Sequence, residues 1–101
     1  MRIALTQERA ANFFQFLETL LKQWEPDNIA EKLIDDHMSD IHERLRKKVT
    51  GKYTKDYSLT LNPKEAKAYY IFMNQNKISM GWHYENNLVQ GHINLLDKIY
   101  A

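Results

Sequence analysis

Residues 57–66 read YSLTLNPKEA and contain the strongest local structural signal in the chain. The first half of this stretch alternates apolar and polar residues, and this period of two predicts a strand over residues 57–61. A lone strand needs a hydrogen-bonding partner, and residues 2–5 are the extended segment that can supply one most simply. We therefore expect a two-stranded antiparallel ladder between residues 2–5 and 57–61.

The second half of the stretch has the features of a helix start. Asn62 suits the N-cap, Pro63 suits the first helical position, and Glu65 is placed to bond the cap amide in return. Apolar residues then recur at helical spacings as far as Met73. We predict a helix over residues 63–74.

Apolar residues at spacings of three and four predict three further helices. The first covers residues 7–24, with Thr6 as its N-cap. The second covers residues 28–48, after the break that Pro26 imposes. The third covers residues 84–100. Because the first two helices are joined by a short connection, we expect them to form an antiparallel hairpin.

Residues 77–84 support two interpretations. Their alternating apolar residues are typical of a strand, but Gly81 weakens either kind of element, and we favour an irregular lead into the last helix. The predicted fold is a mainly helical single domain over residues 1–101, with four helices and one short ladder. The alternative is an α+β domain with an additional strand at 77–84.

Two of the predicted helices have broad apolar faces. The apolar stripe of the second helix consists of Ala30, Leu33, Ile34, His37, Met38, Ile41 and Leu45. The face of the last helix is too broad for a helix with water on most sides. That helix also contains Gly91, which costs roughly 1 kcal/mol relative to alanine. A close approach by another helix would explain the glycine.

Residues 5–16 and residues 61–72 align without gaps in their pattern of apolar and capping residues. Each half of the chain would then contain an extended segment, a capped helix and a second helix. We favour two similar solutions to the same strand-to-helix problem, with an old duplication as the alternative.

The composition limits the classes of function. The chain has 101 residues, of which 44% are hydrophobic and 27% charged, as in an ordinary globular domain. It contains no cysteine, which excludes disulfides, thiol catalysis and thiolate metal sites. The longest apolar run, residues 68–73, is far shorter than the ~18 residues of a membrane helix, and no signal-peptide pattern is visible. We predict a cytoplasmic protein without a membrane partner.

No linear catalytic or cofactor-binding motif is present, so we predict neither enzymatic activity nor a cofactor. Asp36, His37, Asp40 and Glu43 have the three- and four-residue spacings that let metal ligands converge on one helix face. They match no known metal motif, so we interpret them as a solvated acidic face, with a metal site as the alternative. His92 lies within an apolar stripe, which is typical of a core histidine with one bonded nitrogen.

Charge is segregated along the chain, with a net charge of −5 over residues 1–43 and +6 over residues 44–101. Cations are densest in residues 44–55, and cations with nearby aromatics can bind phosphates and stack on bases. The candidate nucleic-acid surface consists of Arg44, Arg46, Lys47, Lys48, Lys52, Tyr53, Lys55 and Tyr57. The competing interpretation is that a helix C-terminus simply favours cations.

Aromatic residues on the predicted helices outnumber the positions that one buried face provides. Because consecutive helical residues point in different directions, we expect Phe16 and Phe72 to remain outside the core. Surplus apolar side chains at a surface indicate a protein interface. We therefore predict a non-catalytic interaction or accessory module that self-associates, for example as a homodimer. The alternative is a nucleic-acid-binding accessory protein that uses residues 44–55.

Overall fold

The computed structural model describes residues 1–51, 56–76 and 82–100. In chain order the elements are β1 (Arg2–Thr6), α1 (Gln7–Gln23), α2 (Ile29–Thr50), β2 (Asp56–Thr60), α3 (Pro63–Gln75) and α4 (His83–Tyr100). The predicted fold of four helices and a two-stranded antiparallel sheet is confirmed for these residues. Of the ambiguous interval 77–84, residues 77–81 lie outside the described part. Within that part, no helix has both the length and the apolar character needed to cross a membrane.

The sheet pairs the start of the chain with its middle. Ile3 lies opposite Leu59 and Leu5 lies opposite Tyr57, and all four side chains are buried. Successive residues of a strand point to opposite faces, so the polar alternates remain on the outer face. The amide of Leu61 donates to the main-chain oxygen of Met1 over 2.7 Å, which continues the pairing by one residue.

The first three helices begin at side chains that cap them. Thr6, Asn28 and Asn62 each accept a hydrogen bond from a first-turn amide, over 3.4, 2.9 and 2.9 Å. Glu65 completes the predicted capping box, because its Oε1 accepts from the amide of Asn62 over 3.0 Å. These caps satisfy amides that have no partner within the helix.

The core lies between the inner face of the sheet and the helices, which pack in sequence order: α1 on α2, α2 on α3 and α3 on α4. The predicted α1–α2 hairpin contributes Leu17 and Ile41, neither of which has exposed surface. The buried apolar residues form one cluster to which all four helices and both strands contribute.

The expectation that Phe16 and Phe72 remain outside the core is wrong, because both are buried. The Phe16 ring lies 5.6 Å from Trp82, which precedes α4, and the Phe72 ring meets Trp24 edge-on at 5.0 Å. The two helices that carry these residues, α1 and α3, each pack against both α2 and α4. Each therefore buries a wider face than a helix that packs on a single layer. Neither phenylalanine is free for the predicted interface.

The two halves of the chain repeat the same structural unit. Residues 5–16 and residues 61–72 each run from a buried leucine through an N-cap into a helix. The aligned leucine, alanine and aromatic pairs are buried alike, whereas the exposed Arg9 aligns with the buried Glu65. The alignment seen in the sequence therefore corresponds to a strand–helix–helix unit that occurs twice.

Two glycines occupy different environments. Gly51 follows α2, and a Cβ there would lie 2.7 Å from the main-chain oxygen of Lys47, which is closer than a non-bonded contact allows. Gly91 is exposed within α4, and apart from its chain neighbours and the nearby backbone of α4 itself, no described atom lies within 4 Å of the position of a Cβ there. The expected close helix approach to Gly91 is therefore absent from the described part of the single chain.

Replacing Leu17 or Ile41 with alanine removes fully buried methyl groups from the α1–α2 contact. We expect each change to lower the free energy of unfolding by ~2–5 kcal/mol, because lost burial and the remaining cavity both cost stability. Urea unfolding followed by circular dichroism measures this, with the exposed Leu95→Ala as control. A loss below ~1 kcal/mol at both core positions would contradict this packing.

Replacing Gly91 with alanine tests the open environment of that residue. We expect the free energy of unfolding to rise by ~0.5–1 kcal/mol, because alanine loses less backbone entropy in a helix and meets no neighbour here. Thermal unfolding gives the value. Gly51→Ala is the matched control and should destabilise, since its Cβ would collide with the Lys47 carbonyl. A destabilised Gly91→Ala variant would show that something packs on this site.

Candidate functional site

Arg44, the first residue of the predicted basic surface, is bound within the fold. Its Nη2 donates to Oε2 of Glu65 over 2.7 Å, and its Nη1 donates to the main-chain oxygen of Thr60 over 3.3 Å. The Glu65 carboxylate is largely buried, so the pair joins α2 to the start of α3. Arg44 therefore holds two helices together, which leaves less of its charge for a phosphate.

Arg46 is also paired, with Glu43 one turn earlier on α2, through two hydrogen bonds of 2.8 and 2.5 Å. The hydrogen bond from Arg46 lowers the pKa of the Glu43 carboxyl. Lys47 and Lys48 are exposed in the last turn of the helix. The other cations and one tyrosine of the predicted surface lie outside the described residues: Lys52, Tyr53 and Lys55.

Tyr57 does not belong to an exposed stacking surface, which corrects the sequence prediction. It is buried on the inner face of β2 opposite Leu5. The same period of two that predicted the strand places Tyr57 on the side of Leu59, which faces the helices. Of the described members of the basic surface, Lys47 and Lys48 remain unpaired cations, and nucleic-acid binding stays a prediction.

The four candidate metal ligands are directed to different places. Asp36 and Asp40 are exposed, His37 lines a groove between α2 and α3, and Glu43 is held by Arg46. Among the residues that the structure describes, no three histidine, aspartate or glutamate side chains come together at a distance suitable for a metal ion. The arrangement thus gives no support to the metal alternative.

An apolar groove lies between α2 and α3 and has a volume of about 510 Å³. The residues that line this α2–α3 groove are Leu33, Ile34, His37, Lys64, Lys67, Ala68 and Ile71. Leu33 is 58% exposed and Ile71 is 40% exposed. Ile29, one turn before Leu33 on α2, is 85% exposed. Exposed aliphatic residues in one patch beside a groove are typical of an interaction surface.

Sequence periodicity assigned Leu33 to the inward stripe of α2, and this assignment is wrong. The buried line of α2 runs through Met38, Ile41 and Leu45, with Ile34 partly buried. Leu33 and Ile34 are adjacent and therefore differ by about 100° around the helix, so one of them must leave the core. The adjacent apolar pair was the signal for this surface, but only the position of α3 decides which member is exposed.

Comparison with known proteins finds no match to this chain. No protein family model, curated protein or solved structure matches it. Function must therefore be inferred from the surface itself.

Cations line the α2–α3 groove on its α3 side, and exposed acidic residues lie near it on α2 without lining it. Lys64 and Lys67 line it from α3, and we call them the basic edge. Asp36 and Asp40 lie three and seven residues after Leu33, so helical periodicity places them beside it on α2, and we call them the acidic edge. Neither edge forms an ion pair with another side chain in residues 1–51, 56–76 or 82–100. The Nζ atom of Lys67 lies over the ring of Tyr100 on α4, 5.6 Å from its centre.

A second apolar surface lies on α4. Leu95 and Ile99 are exposed and border a groove of about 260 Å³ between α4 and the start of α3. The broad apolar face of this helix is therefore only partly covered, because Val89, Ile93 and Leu96 are buried whereas Leu95 and Ile99 are exposed. No charged side chain lines this smaller groove, so its chemistry gives less information about what would bind there.

The buried Tyr69 and the half-buried His92 form a polar pair with a structural role. Tyr69 Oη and His92 Nδ1 are 2.7 Å apart. Burial raises the pKa of the Tyr69 phenol and lowers the pKa of the His92 imidazole, so both groups are neutral near pH 7. We infer that the phenol donates to an unprotonated Nδ1, which satisfies two polar atoms in the interior. His92 has the one bonded nitrogen that the sequence predicts, but its side chain is half-buried and lies outside the core cluster.

The lowered pKa of His92 predicts a loss of stability in acid. The unfolded chain binds its proton near the ordinary pKa of about 6.5, whereas the folded chain resists protonation, so stability falls as the pH drops from 7 towards 5. His42, whose pKa is also lowered by burial, adds to the loss. Thermal unfolding across this range measures it. His92→Gln should flatten the dependence of stability on pH. If the His92→Gln variant loses stability with falling pH as steeply as the wild-type chain, the assignment of this loss to His92 is wrong.

Proposed function

We propose that this protein acts by binding rather than by catalysis, as a small interaction module that self-associates through the surface around the α2–α3 groove. The observation that carries the proposal is the exposed aliphatic group of Ile29, Leu33 and Ile71 beside that groove. Burying each of these side chains at an interface would gain on the order of 1–2 kcal/mol, after allowance for the fraction already buried.

A second copy is the occupant that this surface fits. Ile29 and Leu33 project from α2, and the groove lies directly beside them, so one copy offers both a projecting side chain and a groove to receive it. A two-fold axis brings the same patch of two copies together, and each copy then fills the groove of the other. The net charge of +1 means that two copies do not repel each other strongly.

Sedimentation equilibrium of the wild-type chain over a range of concentrations tests the proposal. The Leu33→Gln, Ile71→Gln double variant keeps side-chain size and helix propensity but removes the apolar contact. We expect its dissociation constant to rise about tenfold or more, because ~1.4 kcal/mol of lost apolar burial corresponds to a factor of ten. Circular dichroism should show an unchanged fold, since both positions are exposed.

The Leu95→Gln, Ile99→Gln double variant is the matched control, because it makes the same chemical change at exposed positions of α4. Its dissociation constant should stay within about twofold of the wild-type value, a difference of ~0.4 kcal/mol. A wild-type chain that is still monomeric at about 1 mM would contradict the proposal. At that concentration even an association free energy of ~4 kcal/mol gives a detectable fraction of dimer. Dissociation by the α4 variant alone would assign self-association to the other face.

A further inference from the structure

The charged residues at the two edges of the α2–α3 groove form no ion pairs within one copy of the described residues, unlike three other pairs of charged side chains. Arg44 with Glu65, Arg46 with Glu43 and Lys22 with Glu18 form ion pairs within one copy. The acidic edge (Asp36, Asp40) lies beside Leu33 on α2, and the basic edge (Lys64, Lys67) lines the groove from α3. No ion pair within the described ranges includes any of the four. The face therefore presents two negative and two positive charges beside its apolar centre.

We propose that a second copy of this chain docks on the α2–α3 groove about a two-fold axis that places the acidic edge of each copy against the basic edge of the other. This inference rests on the proposed function and adds how the two copies recognise and orient each other. In a two-fold contact, residue i of one copy meets residue j of the other and the reverse also holds. The pairing therefore occurs twice, once on each side of Leu33 and Ile71.

The charge pattern favours a second copy over a partner of a single charge sign. An acidic peptide would be attracted by Lys64 and Lys67 but repelled by Asp36 and Asp40, and a basic peptide would meet the reverse. A second copy supplies the opposite sign at each edge, because it has the same two edges in the same relation to the groove. Charges placed this way contribute mainly to specificity and orientation, while the aliphatic centre contributes most of the affinity.

Charge reversal provides a direct experiment. The first variant is Asp36→Lys, Asp40→Lys, and the second is Lys64→Glu, Lys67→Glu. Each variant alone places like charges opposite each other in its homodimer, so its dissociation constant should rise about tenfold or more at low salt. An equimolar mixture should restore wild-type association as a heterodimer, because each edge again meets the opposite charge. A chain with all four reversals should associate with itself again.

The matched control is Lys22→Glu, Lys98→Glu, which changes the net charge as the second variant does but alters exposed lysines on α1 and α4. Its dissociation constant should stay within about twofold of the wild-type value, and added salt should weaken every charge effect. Sedimentation equilibrium of each variant alone, and of the mixture with one variant labelled, gives all of these dissociation constants.

The outcomes separate this inference from the proposed function. If the Leu33→Gln, Ile71→Gln variant dissociates but both charge reversals associate normally, the groove is the interface and the two-fold charge pairing is wrong. If both reversals dissociate and their mixture does not recover, the pairing is again wrong. If the wild-type chain is monomeric throughout, the proposed function fails and the pairing fails with it.

Discussion

The carboxylate of Glu65 is the point on which the arrangement of α2, β2 and α3 depends. One oxygen accepts the Asn62 amide and so fixes the residue at which β2 gives way to α3. The other oxygen accepts from Arg44, whose second branch reaches the last residue of β2, Thr60. A single largely buried side chain thus sets the start of one helix and the position of another against it. The α2–α3 groove lies between these two helices, so its width follows from the same contacts.

The elements of the fold could be predicted because their signals are local. The capping box at Asn62 and Glu65, the break at Pro26 and the alternation before Leu61 each depend on a few neighbouring residues. The ladder was predicted for a different reason, since one strand requires a partner and the chain offered one simple choice. The side chains that cover each helix could not be predicted. Phe16 is buried because Trp82 lies on it, and Trp82 is distant in the sequence.

The candidate site follows the same division between local and distant contacts. The cations between Arg44 and Lys48 are obvious in the sequence, but their partners are not. Arg44 forms an ion pair with Glu65 on α3, and Arg46 forms one with Glu43 a turn earlier on α2. Charges that form no ion pair within the described residues, such as Asp36 and Lys64, are separated by almost thirty residues and form no linear motif. Periodicity shows that a helix has an apolar face, whereas the packing of neighbours decides which part of that face meets water. Leu33 illustrates this, because α3 leaves it exposed while the adjacent Ile34 turns inward.

The pairing of β1 with β2 has a consequence for synthesis of the chain. Residues 2–6 leave the ribosome before their hydrogen-bonding partner at residues 56–60, which follows about fifty residues later. Helices α1 and α2 can form an antiparallel hairpin during this interval, because their contacts are close in sequence. The inner side chains of β1, Ile3 and Leu5, have no strand to cover their edge until β2 emerges. Completion of the core thus waits for the second strand–helix–helix unit, and a nascent chain released before residue 60 keeps an open β edge.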